Sequence, residues 1–385
     1  MLYLIGIGIT FFLVFILSGK KNKSKGDIIL AIWLFFTGIH LVLYYLIVTE
    51  KYVAFPFLLG FEIPMPLLHG PFLFLYTTAL TNQKHNKIFN ALHFIPFIIA
   101  LISLFPFFIL PFQLKIKIYQ TQGKGYELLI NFIFGAIVVS GIFYTIISLQ
   151  KLAKHYRAIA EQFSFTEKIN LRWLFYLILG SGIIWLLVFF SDDKYIFSGV
   201  VLYVLFIGYF GIKQVGIFTN KEPQIQHKAL NNLSAGVTGI FNAIIPDEQE
   251  IEKQPGKIKY EKSKISAEDI KAIHQKLYGL MQTEKIYTNP ELTLSDLAQK
   301  INVHPNILSQ VINSAEQKNF YDYINLQRIE EFKRLIALSE NQKFTLLSLA
   351  FDCGFNSKTS FNRNFKKATN LSPSEYLKQV NINLA

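Results

Sequence analysis

The chain has 385 residues, 51% of them apolar, with 37 phenylalanines and a formal net charge of +12. That length suits two or three domains, and a mean hydropathy of +0.33 argues against an ordinary soluble protein and for membrane spans. The one cysteine, Cys353, excludes an internal disulfide and a cysteine-based zinc site, and neither a metal nor a cofactor is expected. The positive charge is not a nucleic-acid footprint as a whole. Residues 1–212 carry 16 Lys/Arg against 8 Asp/Glu, whereas residues 213–385 carry 22 against 18.

Seven apolar runs are long enough to be spans: roughly 2–18, 28–48, 62–81, 91–111, 128–149, 171–190 and 195–213. The first lacks a basic region before it and a small-residue cleavage site after it, so it reads as an anchor that stays. Loops one, three and five hold eleven Lys/Arg: Lys20, Lys21, Lys23, Lys25, Lys84, Lys87, Lys151, Lys154, Arg157, Lys168 and Arg172. Loops two, four and six hold five: Lys51, Lys115, Lys117, Lys124 and Lys194. The positive-inside rule then places the N-terminus outside and, after seven crossings, the C-terminus in the cytoplasm. His40 and His69 fall inside spans two and three, both about 20 Å from the cytoplasmic face at ~1.5 Å per residue. Either they form a shared polar sensing site, or each fixes packing by a hydrogen bond to a neighbouring helix. Glu62, at the outer end of span three, is expected to be solvated.

Composition turns polar after Val215, and residues 217–264 read as a flexible linker spanning roughly 40 Å. A connecting amphipathic helix follows at 265–285. Ser266 is its expected N-cap, and Ile270, Ile273, Leu277, Leu280 and Met281 form one apolar stripe. It either packs on the domain behind it or serves as a dimerisation or signal-transmitting helix.

Residues 286–385 contain an internal repeat. "LSDLAQKINV" at 294–303 and "LLSLAFDCGF" at 346–355 share the pattern Leu-x-x-Leu-Ala-x-x-x-turn-apolar. Leu297 and Ala298 match Leu349 and Ala350, and the turn residues are Asn302 and Gly354. This is the frame of a helix-turn-helix. A small residue lets the two helices cross closely, and the turn needs a positive φ that Gly adopts freely and Asn tolerates. Leu308 with Ile312, and Phe361 with Phe365, anchor one face of each second helix at i,i+4 spacing. The faces left free carry Asn306, Ser309, Gln310 and Asn313 in the first copy. In the second they carry Lys358, Thr359, Asn362 and Arg363, with Lys366 and Lys367 beyond. The first set suits base edges and the second adds attraction to phosphate. His304 reads as a cap or phosphate contact, and Cys353 as core.

On these residues, on the connector around Tyr323, Ile324, Arg328 and Leu335, and on the closing "LSPSEYLK" with Pro373 and Tyr376, the last hundred residues or so resemble the DNA-binding domain of the AraC/XylS family of bacterial transcription regulators. The layout is similar to a membrane-anchored subgroup of that family. Asn302 and Asn370 stand where the family has Gly, Phe332 replaces a small connector residue, and Leu377 replaces a frequent Arg. The resemblance implies an all-α chain: a seven-helix transmembrane bundle (1–216), the linker, the connecting helix, and a cytoplasmic double helix-turn-helix (286–385). It implies residence in the bacterial inner membrane and binding of double-stranded promoter DNA, with a homodimer on the DNA. A membrane protein or a lipophilic molecule would supply the signal.

There is no Gly-rich phosphate loop, HExxH, GxSxG or receiver-like acidic cluster, so an enzyme is not expected. The competing reading is a transporter or membrane enzyme whose C-terminal module binds protein instead of DNA.

Overall fold

Proline decides where the apolar helices start and break. The computed structural model describes residues 1–81, 87–165, 171–213, 265–341 and 343–383. Among them five helices are long and apolar enough to cross a membrane. They are α1 (Leu2–Gly19), α2 (Lys25–Val48), α8 (Glu127–Gln162), α9 (Arg172–Phe190) and α10 (Asp193–Lys213). The third and fourth apolar runs are helical but shorter. Pro66 starts α3 (Pro66–Leu80) only after two 3₁₀ turns and a positive-φ Gly60, leaving 15 residues. The fourth run is divided into α4 (Lys87–Leu92), α5 (Ile95–Ser103) and α6 (Phe105–Phe108). Pro96 and Pro106 each open a new helix because proline has no N–H for the preceding turn. A short α7 (Phe112–Gln120) precedes α8. The described residues form no strand beyond one isolated bridge.

The chain divides into two units, Met1–Lys154 with Leu171–Leu230, and His155–Asn170 with Asn231–Ala385. In the first, α1 packs on α2 and α10. Glycines permit close contact there: a Cβ at Gly6 would lie 2.6 Å from Val201, and one at Gly141 2.2 Å from the Trp185 ring. Small residues of this kind let helices approach where no hydrophobic drive separates them from lipid. The last two turns of α8 belong to the second unit. At 36 residues α8 is about 54 Å long, more than a hydrocarbon core of about 30 Å.

The second unit contains α11 (Ala267–Thr283), α12 (Leu294–Lys300), α13 (Pro305–Glu316), α14 (Phe320–Ile336), α15 (Leu346–Asp352), α16 (Lys358–Thr369) and α17 (Pro373–Asn383). The linker expected at 217–264 lies outside the described residues. Helix α11, capped by Ser266, packs Leu277 and Met281 into a core with Leu297, Ala298, Leu308, Ile312, Phe320, Tyr323 and Ile324. A second core joins Ile329, Phe332, Leu349, Ala350, Cys353, Phe355, Phe361 and Phe365. Helix α14 serves both: its first half enters one core and its second half the other. Phe332 stacks its edge near Phe361 and Phe365, with centroids 4.7 and 5.5 Å away. Each such ring contributes about 1.5–3 kcal/mol by burial, so the large residue at 332 is accommodated by aromatic packing.

Between the cores lies an ion cluster. Glu331 accepts from Lys285 at 2.8 Å and from Arg334 at 2.7 and 3.0 Å. The Arg334 hydrogen bond first, then Lys285, holds the Glu331 carboxyl down at about 2. A folded-state value below the unfolded one stabilises the fold above pH ~4.5, and that contribution is lost as pH falls toward 2. Lys285 and Arg334 side chains are 40% and 52% exposed, so water screens the cluster to about 1 kcal/mol. Glu331→Gln is therefore expected to flatten the acid limb of stability by that amount. Urea denaturation of residues 265–385 at pH 7 and pH 3 checks it, and an unchanged difference between the two pH values would contradict it.

Candidate functional site

Each helix-turn-helix is fixed by a cap, a positive-φ turn and a second cap. In the first, Thr293 and Asp296 form a reciprocal capping box at the start of α12. Asn302 takes φ +54, and His304 Nδ1 accepts from the Asn306 amide to cap α13, with Pro305 at the first helical position. In the second, Thr345 caps α15, Gly354 takes φ +95, and Ser357 caps α16. Leu297, Ala298, Leu349 and Ala350 are buried at the helix crossings. Cys353 is buried beside them, and burial pushes its thiol up to about 12, which suits packing and not redox chemistry.

Helix α13 buries Leu308, Val311 and Ile312. Asn306, Gln310 and Asn313 are exposed on it and Ser309 is half-buried. Helix α16 buries Phe361 and Phe365, and also Ser360 and Asn364. Lys358, Thr359, Asn362, Arg363, Lys366 and Lys367 are exposed. Two of these cations are engaged by α14. Arg363 Nη2 donates to Tyr321 Oη at 2.6 Å, and Lys367 pairs with Asp322 at 2.6 Å. Asn364 Nδ2 donates to the same Tyr321 hydroxyl at 2.7 Å. The Tyr321–Asn364 link carries no sequence signal, because Asn364 reads as one more polar residue of α16.

Sequence reasoning also gave no hint of what touches α13. Segment 163–165, at the end of α8, runs beside Thr293 as a single antiparallel bridge between Phe163 and Thr293. Ser164 donates its amide and its hydroxyl to Leu292 O, at 3.2 and 2.7 Å. Its carbonyl accepts from Asn325 Nδ2 at 3.0 Å and from Arg328 Nη1 at 3.2 Å. Arg328, 1% exposed, is the hub of this contact. It also donates to Tyr287 O and Asn289 O, both at 2.7 Å, to Asn325 Oδ1 at 3.2 Å, and to Ser164 Oγ at 3.1 Å. Glu161, on the last turn of α8, accepts from Ser309 Oγ at 3.2 Å and from Asn313 Nδ2 at 3.5 Å.

In the first unit, His40 and His69 do meet. Trp33 Nε1 donates to His69 Nδ1 at 3.1 Å, and His69 Nε2 lies 3.2 Å from His40 Nδ1. Indole nitrogen only donates. In the neutral pair, His69 therefore carries its proton on Nε2 and passes it toward His40, whose own proton sits on Nε2. Both line a cavity of about 910 Å³ together with Glu62, Tyr119 and Trp185. Glu62 is half-buried, and it accepts from the Tyr119 hydroxyl and from Gly60 N. It is thus bonded in the protein, where the sequence suggested a solvated end.

A family model described as a helix-turn-helix domain matches residues 297–379. An uncharacterized HTH-type transcriptional regulator of Escherichia coli (strain K12), YijO, is 33% identical over 93 residues. The match covers 24% of this chain and 32% of that protein. No solved structure matches the chain. The C-terminal region is accordingly an AraC-type helix-turn-helix domain, preceded by helices long and apolar enough to cross a membrane.

Proposed function

We propose that the chain is a membrane-anchored transcription regulator that reads promoter DNA with α13 and α16. The observation that carries this is the pair of helix-turn-helix units built on one shared helix, α14, each leaving a polar face of its second helix outside the core. A major groove admits one helix and displays a distinct pattern per base pair. In this reading Asn306, Ser309, Gln310 and Asn313 read bases. Lys358, Thr359, Asn362 and Arg363 do so in the second groove, with Lys366 and Lys367 on phosphate. Two copies pair on the DNA. Residues 1–216 cross the bacterial inner membrane seven times with the N-terminus outside, and residues 286–385 are cytoplasmic.

The signal reaches the first unit at the cavity beside His40 and His69. Trp185 lines it, and its Nε1 is a buried donor with no partner among the described residues. A lipophilic molecule with hydrogen-bond acceptors suits such a lining.

Selection of genomic fragments on the protein, followed by affinity measurement at physiological salt, tests the reading. A specific to non-specific ratio above about 10³ is expected, and a ratio near one would sink it. Lys366→Ala should weaken binding to all sequences alike and reduce the salt slope by about one, for the one phosphate that is no longer neutralised. Gln310→Ala should instead cost about 1–3 kcal/mol at one base position and relax specificity there.

A further inference from the structure

The face of α13 that would enter a groove is already occupied by another part of this chain. Glu161 takes hydrogen bonds from Ser309 and Asn313, which stand at i,i+4 on one side of the helix. Two residues later the chain becomes extended, and Ser164 uses its amide, carbonyl and hydroxyl on Leu292 O, Asn325 and Arg328. Phe163 and Phe165 are 2% and 5% exposed on either side of it, with ring centroids 5.7 Å apart. Backbone pairing at one residue, flanked by two buried side chains, is how a strand is recognised at an edge. Segment 161–165 therefore occupies a defined seat on the domain, and Glu161 is aimed from that seat at α13.

A carboxylate in this place cannot coexist with groove insertion. Double-stranded DNA brings one negative charge per ~1.7 Å of axis, and a base edge would need the same Ser309 and Asn313 donors. Among the described residues Glu161 and Ser164 make no hydrogen bond with α16, and Lys358 and Lys366 stay exposed on it. We propose that residues Glu161–Phe165 form an intramolecular cover for the first recognition helix, so that this segment and DNA compete for α13. The inference rests on the reading of α13 as a DNA-reading helix. With the cover seated, the chain holds DNA through α16 alone, weakly and with only the second set of base contacts. With the cover released, both helices engage.

The test uses the full chain in lipid nanodiscs, with Glu161→Cys and Asn313→Cys joined by a short bifunctional thiol reagent. The native Cys353 is buried and offers no competing thiol. The probe is a labelled mixed-sequence duplex of about 30 bp, three helical turns. The pair should cross-link without DNA and be protected by saturating duplex. The cross-linked protein should bind the duplex at least about tenfold more weakly than the same protein before cross-linking, a difference of about 1.4 kcal/mol. Phe163→Ala, which empties one side of the seat without touching α13, should tighten binding relative to the unaltered chain. Equal, measurable affinity in the cross-linked and free forms, or no gain from Phe163→Ala, would overturn the cover and leave the regulator reading standing. If no form binds the duplex at all, DNA reading itself fails and the cover fails with it.

Discussion

Gly354→Ala is expected to unfold the second helix-turn-helix, lowering the stability of the C-terminal unit by about 3–4 kcal/mol. Two effects add. At φ +95 a side chain is strained, which costs roughly 1–2 kcal/mol for an L-residue in a left-handed conformation. The added Cβ would also lie 2.5 Å from Tyr287 O and 2.7 Å from Thr288 O. Those are backbone atoms of a 3₁₀ turn, Ile286–Thr288, so no side chain can rotate aside. The turn itself cannot yield cheaply, because Tyr287 O accepts from the buried Arg328 at 2.7 Å. Asn302→Gly is the contrasting case. Its φ of +54 is open to both residues, and a change within about 1 kcal/mol is expected. Denaturation of both variants, followed by helical circular dichroism, decides the matter. Equal midpoints would mean that the two turns are not constrained as described.

Arg328→Met should cost a similar amount, about 3–5 kcal/mol. The removed guanidinium satisfies Tyr287 O, Asn289 O, Asn325 Oδ1 and both oxygens of Ser164. Methionine fills much of the volume but leaves buried acceptors without donors. Arg328→Lys keeps the charge and still fails, because one ammonium cannot reproduce a planar fork with five donors. The lysine variant should therefore loosen the seat of residues 163–165 while most of the domain stays folded. Hydrogen exchange separates these outcomes. The Ser164 amide, which donates to Leu292 O, should lose protection, while amides in the core of α14 keep theirs. Retained protection at Ser164 would show that the segment is held by its phenylalanines alone.

What the sequence made legible is local and periodic. The Leu-x-x-Leu-Ala repeat is visible because helix crossing needs a small residue at a fixed offset from a turn. The turns at Asn302 and Gly354 are visible because few residues accept positive φ. The lengths of α1, α2, α9 and α10 follow from uninterrupted apolar runs. The third and fourth runs show the limit of hydropathy: it averages over Pro64, Pro66, Pro96 and Pro106, beside which helices begin anew, while Pro71 is carried inside α3. The free faces of α13 and α16 also followed from their apolar frames, but their partners did not. Arg363 and Lys367 look like free cations until Tyr321 and Asp322 arrive from α14. Glu161 and Ser309 are 148 residues apart, and no periodicity or spacing encodes such a meeting. The same holds for His40 and His69, whose similar depth was readable but whose order of donation depends on Trp33.

The bridge between Phe163 and Thr293 bears on topology. It joins stretches of chain 130 residues apart, with α9, α10 and α11 among the residues between them, and hydrogen bonds of this kind form only between groups in one compartment. If the apolar helices cross a bilayer, the chain between residues 165 and 293 crosses it an even number of times, since an odd number would strand Ser164 and Arg328 on opposite faces. The parity is set by a handful of polar contacts and owes nothing to the distribution of charge along the loops. A reporter placed at residue 165 and another at the C-terminus must then always agree. During synthesis the Phe163–Phe165 segment emerges long before its seat does, so the C-terminal unit can close only after both α9 and α10 have been made.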